Sequence, residues 1–219
     1  MSKPRLLDLF CGAGGATRGY QLAGFHVTGV DLKPQPRYCG DDFHQADALE
    51  FASDPGLIAR CFDAVHASPP CQAYTQAALT WRRRGKEYPR LIEPTRELLR
   101  ATGLPWVLEN VPDAPIRADY ILCGCMVDLE LRRERWFETS WRGFEMSHPH
   151  RHTHPVVSVV GHGTPSWVRE RLGRNPTIAE YRAAMGIDWM NRNELSEAIP
   201  PAYTEFIGSR LLSVVEQAA

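Results

Sequence analysis

The sequence of 219 residues contains no apolar run near the roughly 20 residues that a membrane span requires. It also has almost no net charge, −1 at pH 7 from 25 basic and 26 acidic residues. A protein-wide basic field is therefore excluded, and any nucleic-acid contact must come from a local patch. The opening stretch, Met1-Ser2-Lys3-Pro4-Arg5, passes straight into a strand-like run with no signal-peptide core, so a cytoplasmic chain is expected. No cysteine spacing of the zinc type occurs. Cys123-Gly124-Cys125 is too tight and has no second pair nearby, and it reads as structural. Without an export signal, the six cysteines read as reduced thiols instead of a disulfide framework. What is present, 43% hydrophobic and 23% charged residues, suits one globular domain over residues 1–219 with a substantial core.

Phe62 to Val65 is a short apolar run that reads as a buried strand. It leads to Ala67-Ser68-Pro69-Pro70-Cys71-Gln72. Two prolines remove two backbone donors and fix two φ angles, which stops strand pairing and stiffens the turn. A cysteine directly after such a turn sits at the rim of a sheet, where open α/β sheets bind ligands, and a rigid backbone suits a nucleophile. The bland alternative is a small buried hydrophobe.

The chain begins as a nucleotide-type half-fold. Arg5 to Phe10 reads as a strand, followed by the glycine-rich turn Cys11-Gly12-Ala13-Gly14-Gly15-Ala16. A helix from about Ala16 to Ala23 ends at Gly24, and His26 to Val30 is a second strand with Asp31 at its tip, placed to bind ribose hydroxyls. The dinucleotide fingerprint is incomplete, because Thr17 stands where the third glycine or alanine is expected, which disfavours NAD. Ala46-Asp47-Ala48 reads as a short third strand. Asp47 there would either accept from an adenine amino group or cap a helix over Leu49 to Arg60. Strands alternating with helices imply an α/β fold with a doubly wound, mostly parallel sheet.

Beyond Gln72 lies the densest positive run, Thr80-Trp81-Arg82-Arg83-Arg84-Gly85-Lys86. Cations beside an aromatic suit phosphates and a stacked base; the alternative is a solvated loop. An amphipathic helix over Leu91 to Thr102 precedes a strand over Trp106 to Leu108, which delivers Glu109-Asn110-Val111-Pro112 to the crevice that holds Cys71. A buried Glu109 there would have a raised pKa and act as an acid. Ile121 to Cys123 is another short strand. In Leu131 to Phe137, if extended, Arg133 and Arg135 share one side and suggest an anionic substrate.

Taken in order, Asp8-Leu9-Phe10-Cys11-Gly12-Ala13-Gly14-Gly15, Pro69-Pro70-Cys71-Gln72, Glu109-Asn110-Val111 and Arg133-x-Arg135 resemble motifs of the S-adenosylmethionine-dependent cytosine C5 DNA methyltransferases. Arg174-x-x-Thr177 with Met185-Gly186-Ile187-Asp188, and Ala198 to Tyr203 with Ile207-Gly208, resemble that family's last two motifs. The resemblance implies a Rossmann-like class I methyltransferase fold, S-adenosylmethionine as cofactor, no metal, and double-stranded DNA with a flipped-out cytosine as partner. It implies that the Cys71 thiolate adds to C6, that Glu109 supported by Asn110 protonates N3, and that Arg133 and Arg135 orient the base and its phosphate. It puts the cofactor on Asp8, Phe10, Cys11, Gly12, Ala13 and Gly14, with Asp31 on the ribose and Asp47 near the adenine. Leu32, Ala48, Pro69, Ser196 and Ala198 complete that set. Gln72, Trp81, Arg82, Arg83, Arg84 and Lys86 fall in the family's mobile, DNA-facing catalytic loop.

Three departures stand out. Leu131 replaces the glutamine that opens the arginine motif. Ser196-Glu197 replace a Gly-Asn pair, with Ser196 as partial substitute. Only 33 residues separate Ser140 from Arg174, where the family carries a long target-recognition region. The stretch 141–173 therefore reads as a reduced insert, with 174–219 packing back on the core. Base readout would be weak or supplied by a separate specificity partner, as in short, phage-like members of restriction–modification type in a bacterial or phage-infected cytoplasm. A cytosine methyltransferase acting on RNA or free nucleotides, and a non-catalytic DNA-binding accessory, are the competing functions. Within the insert, His148-Pro149-His150-Arg151-His152-Thr153-His154 reads as a surface loop, the alternative being a Zn²⁺ or Ni²⁺ site on its alternating histidines, and Val156 to Val160 as a strand closed by Gly161-His162-Gly163. Pro201 to Val215 reads as a final helix, and the resemblance implies that it packs beside the first.

Overall fold

The computed structural model describes residues 2–141, 157–159, 164 and 166–218. Strands β1 (Arg5–Leu9), β2 (His26–Asp31), β3 (Asp42–Gln45), β4 (Ala64–Ala67), β5 (Trp106–Asn110), β6 (Tyr120–Leu122) and β7 (Arg135–Thr139) form one sheet in the order β3-β2-β1-β4-β5-β7-β6. Neighbours among β1 to β5 pair in parallel, while β7 runs antiparallel to both β5 and β6. The helices are α1 (Gly15–Leu22), α2 (Ala48–Phe51), α3 (Pro55–Cys61), α4 (Leu79–Arg83), α5 (Ile92–Ala101), α6 (Ser166–Leu172), α7 (Ile178–Met185), α8 (Arg192–Glu197) and α9 (Pro201–Ala218). Strand order reverses between β1 and β4, so the crevice beyond their C-terminal ends is the topological switch point.

The central strands are apolar because both of their faces are covered. Leu7, Leu9, Val65, Ala67 and Leu108 pack against Ile92 and Leu99 of α5. Leu6, Ala64 and Val107 pack on the other face against Tyr20 of α1 and Tyr203, Ile207 and Leu211 of α9. The α1–α9 crossing is close: a Cβ at Gly19 would strike the Pro201 carbonyl and Thr204 Oγ1, and Thr204 Oγ1 donates to the Ala16 carbonyl at 2.9 Å. A third cluster, including Leu131, Tyr181, Met185 and Leu195, lies under α7 and α8. Thr177 and Glu180 form a reciprocal cap on α7, and Arg174 holds Glu180 through both carboxylate oxygens, so that motif is a capping device.

Several boundaries differ from the sequence expectation. The third strand is Asp42–Gln45, not Ala46 to Ala48, and Asp47 caps α2 by accepting from the Leu49 and Glu50 amides. The helix expected over Leu49 to Arg60 is two short helices, because Asp54 starts a new cap with Pro55 in the first turn. Strand β4 starts two residues later than expected, since Phe62 still closes α3. Strand β5 continues to Asn110, which places Glu109 inside the sheet. Of the strand expected over Val156 to Val160, residues 157–159 are described, and Val157 makes only an isolated bridge to Leu131. The His148–His154 tract and most of 141–173 lie outside the described residues. Among the described residues, no helix is long and apolar enough to cross a membrane.

Candidate active site at the switch point

The glycine turn after β1 needs left-handed backbone: φ is 63° at Phe10, 51° at Gly12 and 88° at Gly14. Gly12 faces open space, with no atom within 4 Å of a Cβ placed there. Its amide donates to Asp31 Oδ2 at 3.0 Å, and Lys33 N donates to Oδ1 at 2.9 Å, so Asp31 is fixed at the mouth of the turn beside exposed Leu32. Ala13 is tied through its carbonyl to Trp189 Nε1 at 2.9 Å. Cys39 Sγ donates to the Gly14 carbonyl from the loop after β2.

Asp8 does not face this mouth. It lies fully buried beneath the turn, and Thr17, the residue that breaks the dinucleotide fingerprint, donates its hydroxyl to Asp8 Oδ2 at 2.6 Å. Burial pushes the Asp8 carboxyl up to about 7, against the Thr17 hydrogen bond, and Oδ1 has no hydrogen bond. Cys11 and Ala48 are also buried. Ser196 donates its hydroxyl to the Asn193 carbonyl within α8.

Cys71 opens a single 3-10 turn, Cys71–Ala73, and its carbonyl accepts from the Tyr74 and Thr75 amides at 2.9 Å each. Two side chains hold the segment around it. From the end of β5, buried Asn110 donates Nδ2 to the Pro69 carbonyl at 2.8 Å. From α4, Arg82 Nη1 donates to the carbonyls of Gln72 at 2.7 Å and Thr75 at 2.8 Å. The thiol is half-buried. Burial raises its pKa, Arg135 and Arg133 pull it down, and Glu109 pushes it further up.

Glu109 is buried on β5 and sits on the same face as Phe137, its partner across the antiparallel β7. Arg135, two residues before Phe137, thereby reaches it, with Nε 3.0 Å from Oε1. The N–H is not aimed at that oxygen, so Oε1 has charge contact without a hydrogen bond. Burial lifts the carboxyl to about 7 against the pull of Arg135 and Arg133.

Arg133 makes different contacts from Arg135. It lies before β7, is buried, and donates to the Val159, Ser196 and Ala198 carbonyls, which ties the arm before β7 to the C-terminal segment. Tyr203 of α9 donates to the Arg133 carbonyl at 2.6 Å. Arg133 Nη1 and Nη2 are thus committed to backbone while Nε has no hydrogen-bond partner among the described residues, and Arg135 is the one in contact with Glu109, although the charge of Arg133 also acts on that carboxyl. The basic stretch also divides. Trp81 is 53% exposed with the Arg84 guanidinium stacked near it at 5.5 Å, and Arg83, Arg84 and Lys86 are exposed, whereas Arg82 is turned inward to the Cys71 turn.

Sequence reasoning passed over His66. In the middle of β4 it is fully buried, with Nδ1 2.9 Å from the Tyr20 hydroxyl, and burial holds it down to about 3, neutral at any ordinary pH. A histidine inside an otherwise apolar strand is the signal that pointed to it. Nothing in the sequence pointed to Trp189 reaching Ala13 from 176 positions away.

No protein-family model matches the chain, and no curated protein matches it by sequence. Solved structures do. A protein described as a DNA modification methyltransferase encoded within a prophage (E. coli) superposes with a TM-score of 0.60 at 12% identity, over 97% of this chain and 99% of that one. The Dnmt2 methyltransferase of S. pombe gives 0.63 at 14% identity, over 97% and 99%. The methyltransferase EhMeth of Entamoeba histolytica gives 0.62 at 10% identity, over 98% and 99%. This chain has the Rossmann-like methyltransferase fold. In that fold the glycine turn and the Cys71 turn stand side by side at the ends of β1 and β4, which pair directly.

Proposed function

We propose that the chain transfers a methyl group from S-adenosylmethionine to C5 of cytosine in DNA, with Cys71 as nucleophile. The observation that carries this reading is the grouping of Cys71, Glu109 and Arg135: the charges of Glu109 and Arg135 both act on the Cys71 thiol, and Arg135 touches the Glu109 carboxylate. The names of the similar structures, all methyltransferases and one a DNA modification enzyme, favour a nucleic acid as the acceptor.

The residues present fit the cofactor. Gly12 leaves its side of the turn open, and Asp31, anchored by two backbone amides, keeps lone pairs for a ribose. When bound, S-adenosylmethionine supplies an electrophilic methyl on a sulfonium. Phe10 and Gly12 would line its place, with Leu32 at the rim; Asp47 commits Oδ1 to the first amides of α2 and would offer its other oxygen to the adenine. Cys71 as thiolate forms a bond to C6 of the cytosine and pushes the electron pair of the C5–C6 double bond onto C5, which takes the methyl; loss of the C5 proton then restores the C5–C6 double bond and expels Cys71 as thiolate. Glu109, which burial keeps partly protonated near neutrality, gives its proton to N3 as charge develops there. Arg135 draws the thiol toward its ionised form and compensates the Glu109 carboxylate once the proton has left. Asn110 keeps Pro69, and so the Cys71 turn, in register with Glu109. The exposed Trp81, Arg83, Arg84 and Lys86 would meet the DNA, with Gln72 at the base. The short 141–173 stretch would leave base-specific reading to a few contacts or to a separate partner.

Labelled S-adenosylmethionine incubated with duplex DNA, single-stranded DNA, tRNA and dCTP, beside Cys71→Ser, tests this. Label in duplex DNA with the wild type and none with Cys71→Ser is expected. Label confined to tRNA or dCTP overturns DNA as substrate, and cofactor binding without transfer to any acceptor overturns catalysis.

A further inference from the structure

The arginines of α4 differ in one respect that their sequence conceals. Arg83 and Arg84 are exposed, whereas Arg82 turns back and places both hydrogens of Nη1 on carbonyls of the segment that carries Cys71, those of Gln72 and Thr75. These carbonyls close the turn begun at Cys71: Thr75 also donates its amide to the Cys71 carbonyl, and Gln72 is the next residue after the thiol. A one-turn 3-10 helix cannot satisfy its own last carbonyls, and a cation at that end meets both the missing hydrogen bonds and the local negative pole. The Cys71 segment is thus clamped at two points. Asn110 clamps its start, at Pro69, from the buried end of β5, and Arg82 clamps its end from a helix on the surface.

We infer that Arg82 is a positioning residue that couples the placement of α4 to the placement of the Cys71 thiol, and that it is not one of the phosphate contacts. This rests on the proposed DNA methyltransferase activity for its purpose, though not for its geometry. Arg83 and Arg84, one and two positions along the same short helix and its cap, are free to meet phosphate. A phosphate held by them draws on α4, and Arg82 Nη1 passes that constraint to Gln72 and Thr75, one and four residues after Cys71. The same charge run therefore divides into two tasks by which way each guanidinium points.

The test uses the whole chain without cofactor or DNA first. Cys71 and Cys61, both partly buried, are alkylated with iodoacetamide and followed by peptide mass spectrometry. The ratio of the two rates reports local loosening, because general unfolding raises both. Arg82→Ala is expected to raise the Cys71:Cys61 ratio about tenfold, the factor that about 1.4 kcal/mol of lost anchoring corresponds to. Arg83→Ala and Arg84→Ala should leave it unchanged. If Arg82→Ala unfolds the chain, Arg82→Met decides by the same ratio, since a thioether stem keeps the packing and removes every donor. A rise supports the clamp and an unchanged ratio overturns it. With duplex DNA, Arg82→Ala should lower kcat and leave the salt slope of binding in place, whereas Arg83→Ala should raise KM and reduce that slope by about one. A slope reduced equally by Arg82→Ala, with the alkylation ratio unmoved, makes Arg82 an ordinary phosphate contact. If the wild type neither binds nor methylates DNA, the activity reading fails on its own, and the alkylation ratio still decides the clamp.

Discussion

Arg135 Nε lies 3.0 Å from Glu109 Oε1, brought there by an antiparallel strand added to a parallel sheet. The Arg135 charge opposes burial at both groups that the proposed chemistry uses. Arg135 lowers the Cys71 thiol and the Glu109 carboxyl, while burial raises both. Glu109 comes out at about 7, where a carboxylic acid can still donate near neutrality.

Methyl transfer should therefore fall as pH rises through about 7, because the acid form of Glu109 is the one that donates to N3. Glu109→Gln should lower kcat by roughly 10²- to 10⁴-fold and remove that limb of the pH profile. Arg135→Met takes away a charge that favours the carboxylate, so the limb should move to higher pH. Initial rates between pH 5.5 and 9 check both; a limb that survives in Glu109→Gln belongs to another group.

Arg133 is held by three carbonyls and should behave as a structural residue. Arg133→Ala leaves those carbonyls without their donor and should cost on the order of 2–4 kcal/mol, read from urea midpoints. The salt slope of DNA binding should stay as in the wild type. A reduced slope at unchanged stability would show that Arg133 meets phosphate after all.

Three buried groups set how stability depends on pH. Asp8 and Glu109, both raised to about 7, each keep a proton in the folded chain that the unfolded chain has already lost above its ordinary pKa. Their contribution is full at low pH and is lost as pH rises toward 7. His66, lowered to about 3, acts with the opposite sign, since the unfolded chain binds its proton below about 6.5. Between pH 4.5 and 6.5 the three together make stability fall with pH by about one net proton. In Asp8→Asn the Glu109 and His66 terms offset one another, and that slope should vanish. Urea unfolding at several pH values across this window measures it, and an unaltered slope places the Asp8 proton elsewhere.

Gly19 allows α1 and α9 to cross at backbone distance. Gly19→Ala gains helix propensity but drives a methyl into the Pro201 carbonyl, and overpacking of this kind costs about 1–3 kcal/mol. A lowered unfolding midpoint is expected. A raised one would mean that the crossing yields by helix propensity alone.

The local chemistry of this protein is determined by its sequence. The glycine turn, the Pro69-Pro70 stop before Cys71, the acid at Asp31 and the glutamate that ends a buried strand each follow from backbone rules acting over a few residues. Those rules also foretold the parallel sheet, whereas the return of the last helix to the first was implied by the family resemblance. They misplaced β3, because Asp47 caps α2, and β4, because Phe62 still closes α3, and they ran α2 and α3 together, because Asp54-Pro55 restarts a helix that periodicity alone would continue. What only the tertiary structure decided is which like residues do unlike things. Arg133 and Arg135 read as a pair, and Arg82, Arg83 and Arg84 read as a run. A guanidinium is placed by whichever carbonyl or carboxylate the fold brings within its reach, and for Arg133 those partners lie 26, 63 and 65 positions away. Spacing along the chain carries no information about such partners. Burial is likewise a property of the assembled layers, and it is burial that gives Asp8 and Glu109 their protons and denies one to His66.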